Sequence, residues 1–155
     1  MRVHIGSDHA GFEAKQSLVA ALTDRGHDVV DHGPRSYDAQ DDYPPYCLAT
    51  GAAVAAEPGS LGVVLGGSGN GEQMAANKVV GVRAALAWSE ETARLAREHN
   101  DANVISVGAR MHPPAQVLEF VETFLGTPFS GDERHQRRIG QLADFERTHQ
   151  VPQTT

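Results

Sequence analysis

Glu72 stands at the end of a glycine-rich loop, where a carboxylate can take a proton from a bound small molecule. The segment around it reads Val63-Val-Leu-Gly-Gly-Ser-Gly-Asn-Gly-Glu-Gln-Met-Ala-Ala-Asn-Lys78. A short apolar run stops at Gly66, four of the six residues 66–71 are glycine, and a helix-compatible stretch follows. A strand, a loop rich in backbone N–H groups and a helix start together form an anion-binding arrangement. The spacing from Gly66 to Gly71 fits the glycines of a P-loop, but a P-loop continues with Lys and Ser/Thr. This chain continues with Glu72 and Gln73, and a carboxylate there repels a triphosphate. The residues point instead to acid/base chemistry on a small molecule. A tight turn needs one glycine, whereas four suggest that a ligand approaches the backbone closely. Taken alone, Glu72 serves equally well as a carboxylate at the positive end of a helix.

Other residues join this list by type and position. Asp8 and His9 lie in Gly6-Ser-Asp-His-Ala-Gly11, either as site residues or as a helix cap with a bystander imidazole. His99 and Asn100 end a helical stretch, where a histidine is favourable for its own sake. Arg110 and His112 follow the last strand-like run. Arg134 and Arg138 are four apart and share a helix face, with Arg137 pointing about 100° away from Arg138. With His135 they make a basic patch on an acidic chain, which is either a solvated face or a phosphate site, since guanidinium forks match phosphate oxygens. Metal binding is weakly supported: eight histidines are present, without His-x-His, His-Glu-x-x-His or a Cys/His cluster. The glycine loop does not have dinucleotide spacing either. Cys47, the single cysteine, excludes an intrachain disulfide and reads as an ordinary buried thiol.

These residues need elements to hold them. Strands are expected at residues 3–5, 28–31, 61–65, 82–88 and 103–107. Between them, Ala14, Leu18, Ala21 and Leu22 repeat at helical spacing, Pro44-Pro45 opens a helix to about Ala56, and a short helix follows the glycine loop. Ser89 caps a helix ending near His99 and Asn100. Two further helices start at Pro113-Pro114 and near Ser130 or Asp132, and the tail after about His149 is polar and frayed. The alternation predicts an α/β protein, a three-layer Rossmann-like fold with a five-stranded parallel sheet flanked by helices. One domain over residues 1–150 with a flexible tail at 151–155 is expected. Ligands bind outside the carboxyl ends of such strands, which selects Asp8-His9, Gly66 to Glu72, Ser89 and Gly108 to His112.

Composition narrows the partners. A net charge of −7 over 155 residues argues against a general nucleic-acid surface. No apolar run approaches the roughly 18 residues of a membrane span. An N-terminus that starts a strand at once, and a lone cysteine, lead us to expect a cytoplasmic protein.

With these residues collected, the chain resembles the type B ribose-5-phosphate isomerases, of the family that also contains galactose-6-phosphate isomerase subunits. The resemblance covers about residues 1–150. It is carried by Gly6 to Gly11, by Asp41-Asp-Tyr-Pro44, by Gly66 to Lys78, and by Ala96-Arg-Glu-His-Asn100 with Gly108-Ala-Arg110. Part of that family places a catalytic cysteine where this chain has Gly66. The chain is therefore similar to the actinobacterial-type branch, which uses a carboxylate at the position of Glu72.

The resemblance implies interconversion of D-ribose 5-phosphate and D-ribulose 5-phosphate through an enediolate, without metal or cofactor, in the non-oxidative pentose phosphate pathway. It implies that Glu72 shuttles the proton, that Asp8 and His99 open the sugar ring, and that the N–H groups of Gly67, Ser68, Gly69, Asn70 and Gly71, with the Ser68 hydroxyl, hold the enediolate oxygen. His9, Arg110, Arg134 and Arg138 would hold the phosphate and Asn100 a sugar hydroxyl. A homodimer with shared active sites follows from the same resemblance, with His99 and Asn100 reaching across. The competing reading is a non-catalytic phosphosugar-binding module on the same fold, which needs the loop and arginines but not Glu72.

Overall fold

The computed structural model describes residues 1–153. Five strands run in parallel: β1 (Arg2–Ser7), β2 (Asp28–Asp31), β3 (Leu61–Gly66), β4 (Ala84–Ala87) and β5 (Val104–Gly108). Their order in the sheet is β2-β1-β3-β5-β4. Six helices connect and follow them: α1 (Phe12–Asp24), α2 (Tyr43–Ala56), α3 (Asn70–Ala76), α4 (Glu90–Asn100), α5 (Pro114–Gly126) and α6 (Glu133–Thr148), with a single 3-10 turn at His9–Gly11 ahead of α1. The expected α/β architecture and parallel sheet are observed. Val151 to Gln153 are exposed and have no regular structure, and the expected flexible tail otherwise falls on residues 154 and 155, outside the described residues.

Successive strand residues face opposite sides of a sheet, and this alternation divides the core. Val3, Ile5, Val63, Leu65, Ile105 and Val107 pack with Leu18 and Leu22 of α1, Ala93 and Ala96 of α4, and Val117, Val121 and Phe124 of α5. On the other face, Val64 and Val104 meet Cys47 and Val54 of α2 and Ala75 and Ala76 of α3. The central strands are buried on both sides, so they read as continuous apolar runs. Cys47 is fully buried, as expected.

Two elements depart from the sequence expectation. The buried face of α1 is Phe12, Lys15, Leu18 and Leu22, with Ala14 and Ala21 only half-buried. Lys15 is 1% exposed. Its stem packs as an aliphatic chain, while Nζ donates to Asp31 and, at 2.9 Å, to the Pro34 carbonyl. Asp31→Ala removes the counter-charge of a buried ammonium and should destabilise the fold by about 3 kcal/mol, measurable by urea denaturation. The fourth strand is the shorter β4 rather than residues 82–88. Val82 N–H turns back to the Val79 carbonyl, and Trp88 N–H is taken by the Thr92 hydroxyl at the start of α4.

Candidate active site

In the sheet order, β1 and β3 are neighbours, and the chain leaves them in opposite directions, toward β2 on one side and toward β5 and β4 on the other. Such a reversal opens a crevice at the carboxyl ends of the two strands. Asp8 follows β1 and the glycine loop follows β3, so the crevice holds both candidate carboxylates. Of the four predicted strand ends, Ser89 serves as a helix cap. Its hydroxyl accepts from Thr92 N–H at 3.1 Å, and Thr92 returns the bond as a capping box.

Glu72 is 4% exposed. Its carboxyl group lies under Gly66: a Cβ built on Gly66 would come within 1.8 Å of Oε1. Burial raises its pKa above the ordinary carboxylate range, and the charge of Asp8 adds to this. The Glu72 and Gly69 backbone amides oppose it. A carboxylate so placed is a stronger base than one in water. Asp8 is also buried, at 7% exposure, and its Oδ1 caps the 3-10 turn by accepting from Ala10 N–H at 2.9 Å and Gly11 N–H at 3.2 Å. The helix-cap reading of Asp8 therefore holds for one oxygen, and the other makes no such bond.

The loop between them is shaped by its neighbours. Gly69 has φ +82°, a left-handed conformation that favours glycine, and its carbonyl accepts from the buried Ser106 hydroxyl at 2.7 Å. The Gly66 and Gly67 carbonyls accept from Ala109 and Arg110 N–H at 2.8 and 3.1 Å. The Ser68 hydroxyl accepts from Asn70 N–H at 3.3 Å. The N–H groups of Gly67 and Ser68 have no protein acceptor among the described residues. Tyr43, the first residue of α2, lays its ring against Gly71.

His9 and Arg110 border a cavity of about 410 Å³ beside this loop. The His9 ring is tied at Nδ1 to Asp41 Oδ1 at 2.8 Å. Asp41 belongs to the Asp41-Asp-Tyr-Pro44 segment, and its sequence context alone suggested no role for it. Three larger cavities, about 760, 620 and 540 Å³, lie away from Glu72. The chemistry of the crevice residues, not the volume, marks the site.

The remaining candidates lie at the opposite edge. A helix that returns from a parallel strand ends near the next strand's start. The 11 residues of α4 carry the chain roughly 16 Å from Ser89 to Asn100. Asn100 and Asp101 carbonyls accept from Arg83, just before β4, at 3.1 and 2.7 Å. His99 is half-exposed there, stacked on His135 with 4.4 Å between ring centroids. His135 is buried, and burial, then the charges of His99 and Arg134, lower its pKa. Arg134 and Arg138 extend this cluster along α6, exposed and paired with no carboxylate among the described residues. The fold thus brings together Asp8, His9, residues 67–71, Glu72 and Arg110, and separately His99, Asn100, Arg134 and Arg138.

A model of the Ribose/Galactose Isomerase family matches residues 3–142. The chain is 60% identical over 152 residues to ribose-5-phosphate isomerase B of Mycolicibacterium paratuberculosis, covering 98% of this chain and 96% of that one. It is 57% identical to ribose-5-phosphate isomerase B of Mycobacterium tuberculosis, covering 98% and 94%. Among solved structures, ribose-5-phosphate isomerase B of Mycoplasma genitalium with bound ribulose 5-phosphate is similar at a TM-score of 0.92 and 40% identity, over 95% and 97% of the two chains. The Clostridium thermocellum enzyme gives a TM-score of 0.92 at 37% identity, over 97% and 100%.

Proposed function

The chain belongs to the ribose/galactose isomerase family, and we propose that it works through a site assembled from two subunits, with Glu72 as the base. The enzyme interconverts D-ribose 5-phosphate and D-ribulose 5-phosphate. The observation that carries the proposed mechanism is the buried Glu72 carboxylate set beside a loop with unengaged N–H groups. Moving a carbon-bound proton requires a base at the carbon and donors for the charge that develops on oxygen.

Glu72 removes the C2 proton of open-chain ribose 5-phosphate and returns it to C1. The N–H groups of Gly67 and Ser68, free among the described residues, hold the enediolate oxygen with the Ser68 hydroxyl, whereas the Asn70 N–H expected to join them is engaged by Ser68 Oγ. Asp8 and His99 open the ring, and Asn100 holds a sugar hydroxyl. His9 and Arg110 from one subunit, with Arg134 and Arg138 from the other, hold the phosphate. Remote phosphate binding then orients the reacting carbons.

The two-subunit site is supported by where the residues lie. Within one chain the length of α4 separates His99 and Asn100 from Glu72. Next to them, β4 is an edge strand, and Trp88, Leu142 and Phe145 are exposed around the 620 Å³ groove that β4 and α6 line. A second copy docked there buries this apolar surface and carries one subunit's His99 and Arg138 toward the other's Glu72. In a two-fold dimer both sites form identically.

Mixing subunits tests the arrangement. Glu72→Gln and His99→Ala homodimers should each be nearly inactive. After co-refolding in equal amounts, half the dimers are mixed, and each mixed dimer has one intact site. Recovery to about a quarter of wild-type activity is expected. No recovery, with mixed dimers verified by mass, removes the shared site. The reaction itself is checked by proton NMR of the wild-type enzyme with ribose 5-phosphate in D2O and EDTA. Ribulose 5-phosphate should appear with deuterium at the exchanging carbon. Binding without turnover would favour the phosphosugar-binding module.

A further inference from the structure

Asp41 spends a buried carboxylate on a single imidazole. It lies in the irregular segment 32–42 between β2 and α2, and its side chain is 7% exposed. Oδ1 meets His9 twice: it accepts from the His9 backbone N–H at 2.8 Å and faces the ring Nδ1 at 2.8 Å. One oxygen therefore fixes both the main chain and the ring. A carboxylate only accepts, so Nδ1 must carry the hydrogen. Nε2, across the ring, makes no hydrogen bond among the described residues, and the ring borders the cavity that Arg110 shares. Asp41 Oδ2 is buried and meets the geometric criteria for no hydrogen bond among the described residues. Burial, then the nearby Asp41 carboxylate, raises the pKa of the Tyr46 phenol.

We propose that Asp41 is a positioning residue for phosphate binding, which locks the His9 ring at Nδ1 and turns Nε2 toward the phosphate beside Arg110. The proposal rests on the reading that His9 and Arg110 hold the phosphate. The hydrogen bond to Asp41 also raises the His9 pKa, with the charge of Asp8 adding to it and partial burial opposing. Glu13 and Tyr37 line the same cavity, and Arg110 is its one arginine. At neutral pH the carboxylate thus makes His9 a better partner for a phosphate dianion, in the way a carboxylate orients a metal-binding imidazole.

Asp41→Asn keeps an acceptor oxygen and removes the charge. We expect the KM for ribose 5-phosphate and the Kd for inorganic phosphate to rise about tenfold, the size of one charge-assisted hydrogen bond. kcat should change less than about twofold, and the NMR titration of His9 should move to lower pH. In a His9→Gln background the same substitution should add nothing. An unchanged His9 titration with unchanged KM, or an equal effect in the His9→Gln background, overturns the proposal. If His9→Gln and Arg110→Ala leave phosphate affinity intact, the phosphate reading fails and the proposal with it. Nitrogen-15 shifts of the wild-type enzyme supply a check that needs no variant: neutral His9 must carry its proton on Nδ1, and the Nε2–H tautomer sinks the idea.

Discussion

Glu72→Gln should lower kcat by about 100- to 10,000-fold, the range expected for loss of a positioned general base, while the protein stays folded and still binds ribose 5-phosphate. Gln preserves the size of the side chain and cannot take a proton from carbon. The structure adds a second signature. Glu72 has a raised pKa because it is buried beside Asp8, so its ionised form is disfavoured in the fold. Stability linked to this group is greatest below the unfolded carboxyl pKa and is lost as pH rises through the higher folded value. At neutral pH the charge therefore costs stability, and Glu72→Gln should melt at the same or a higher temperature than wild type. As the base must be ionised, wild-type kcat/KM should fall toward acid through a pKa above the ordinary glutamate value. Near-wild-type turnover in the variant would defeat the assignment. A large loss of activity together with a lower melting temperature would mean that Glu72 is structural.

Much of this arrangement was legible in the sequence because the signals were local. The apolar run 61–65 and the break at Gly66 located β3 and its loop, and Ser89 located the start of α4. What stayed hidden depends on contacts across the chain. Lys15 breaks the apolar pattern of α1, yet it is buried, because its partner is Asp31 on β2 and its other acceptor is the Pro34 carbonyl. A pattern that counts only apolar types has no place for it. The fourth strand looked longer because Val82 and Trp88 have strand-like side chains, whereas their N–H groups are committed to a turn and to a helix cap. Asp41 gave no signal of its own, since its role is defined by His9, 32 residues earlier.

The separation of the candidate residues was legible in principle. Each helix of a parallel α/β protein runs back against its strands, so residues at a helix C-terminus lie opposite the strand ends that bind ligands. His99 and Asn100 were read as the end of a helix, and that position alone put them on the far edge from Glu72. Either they have no part in the chemistry or a second subunit supplies them. The exposed Leu142 and Phe145, with Arg134 and Arg138 paired to no carboxylate among the described residues, favour the second alternative.

Gly66→Ala should be almost as damaging as loss of Glu72 itself, although it adds only an uncharged methyl group. The added Cβ would lie 1.8 Å from Oε1, 2.1 Å from Cδ and 2.7 Å from Oε2 of Glu72. Gly66 ends β3 with a backbone conformation that other residues adopt, as it is absent from the positive-φ glycines. The conflict is therefore one of volume: the methyl and the carboxylate claim the same space, and the carboxylate must leave. A shift of about 1 Å in a catalytic group is enough to cost about 100-fold, and this shift is larger. On this geometry a side chain at position 66 and a carboxylate in the present place of Glu72 exclude each other. A cysteine there would occupy the place that Glu72 fills, so one site holds one base. Because the two substitutions damage the same feature, their effects should not add. Gly66→Ala combined with Glu72→Gln should be no less active than the worse single variant. Gly66→Ala with Glu72→Ala should regain whatever melting temperature Gly66→Ala alone loses. Full activity in Gly66→Ala would show that the Glu72 carboxylate does not work from the position beneath Gly66.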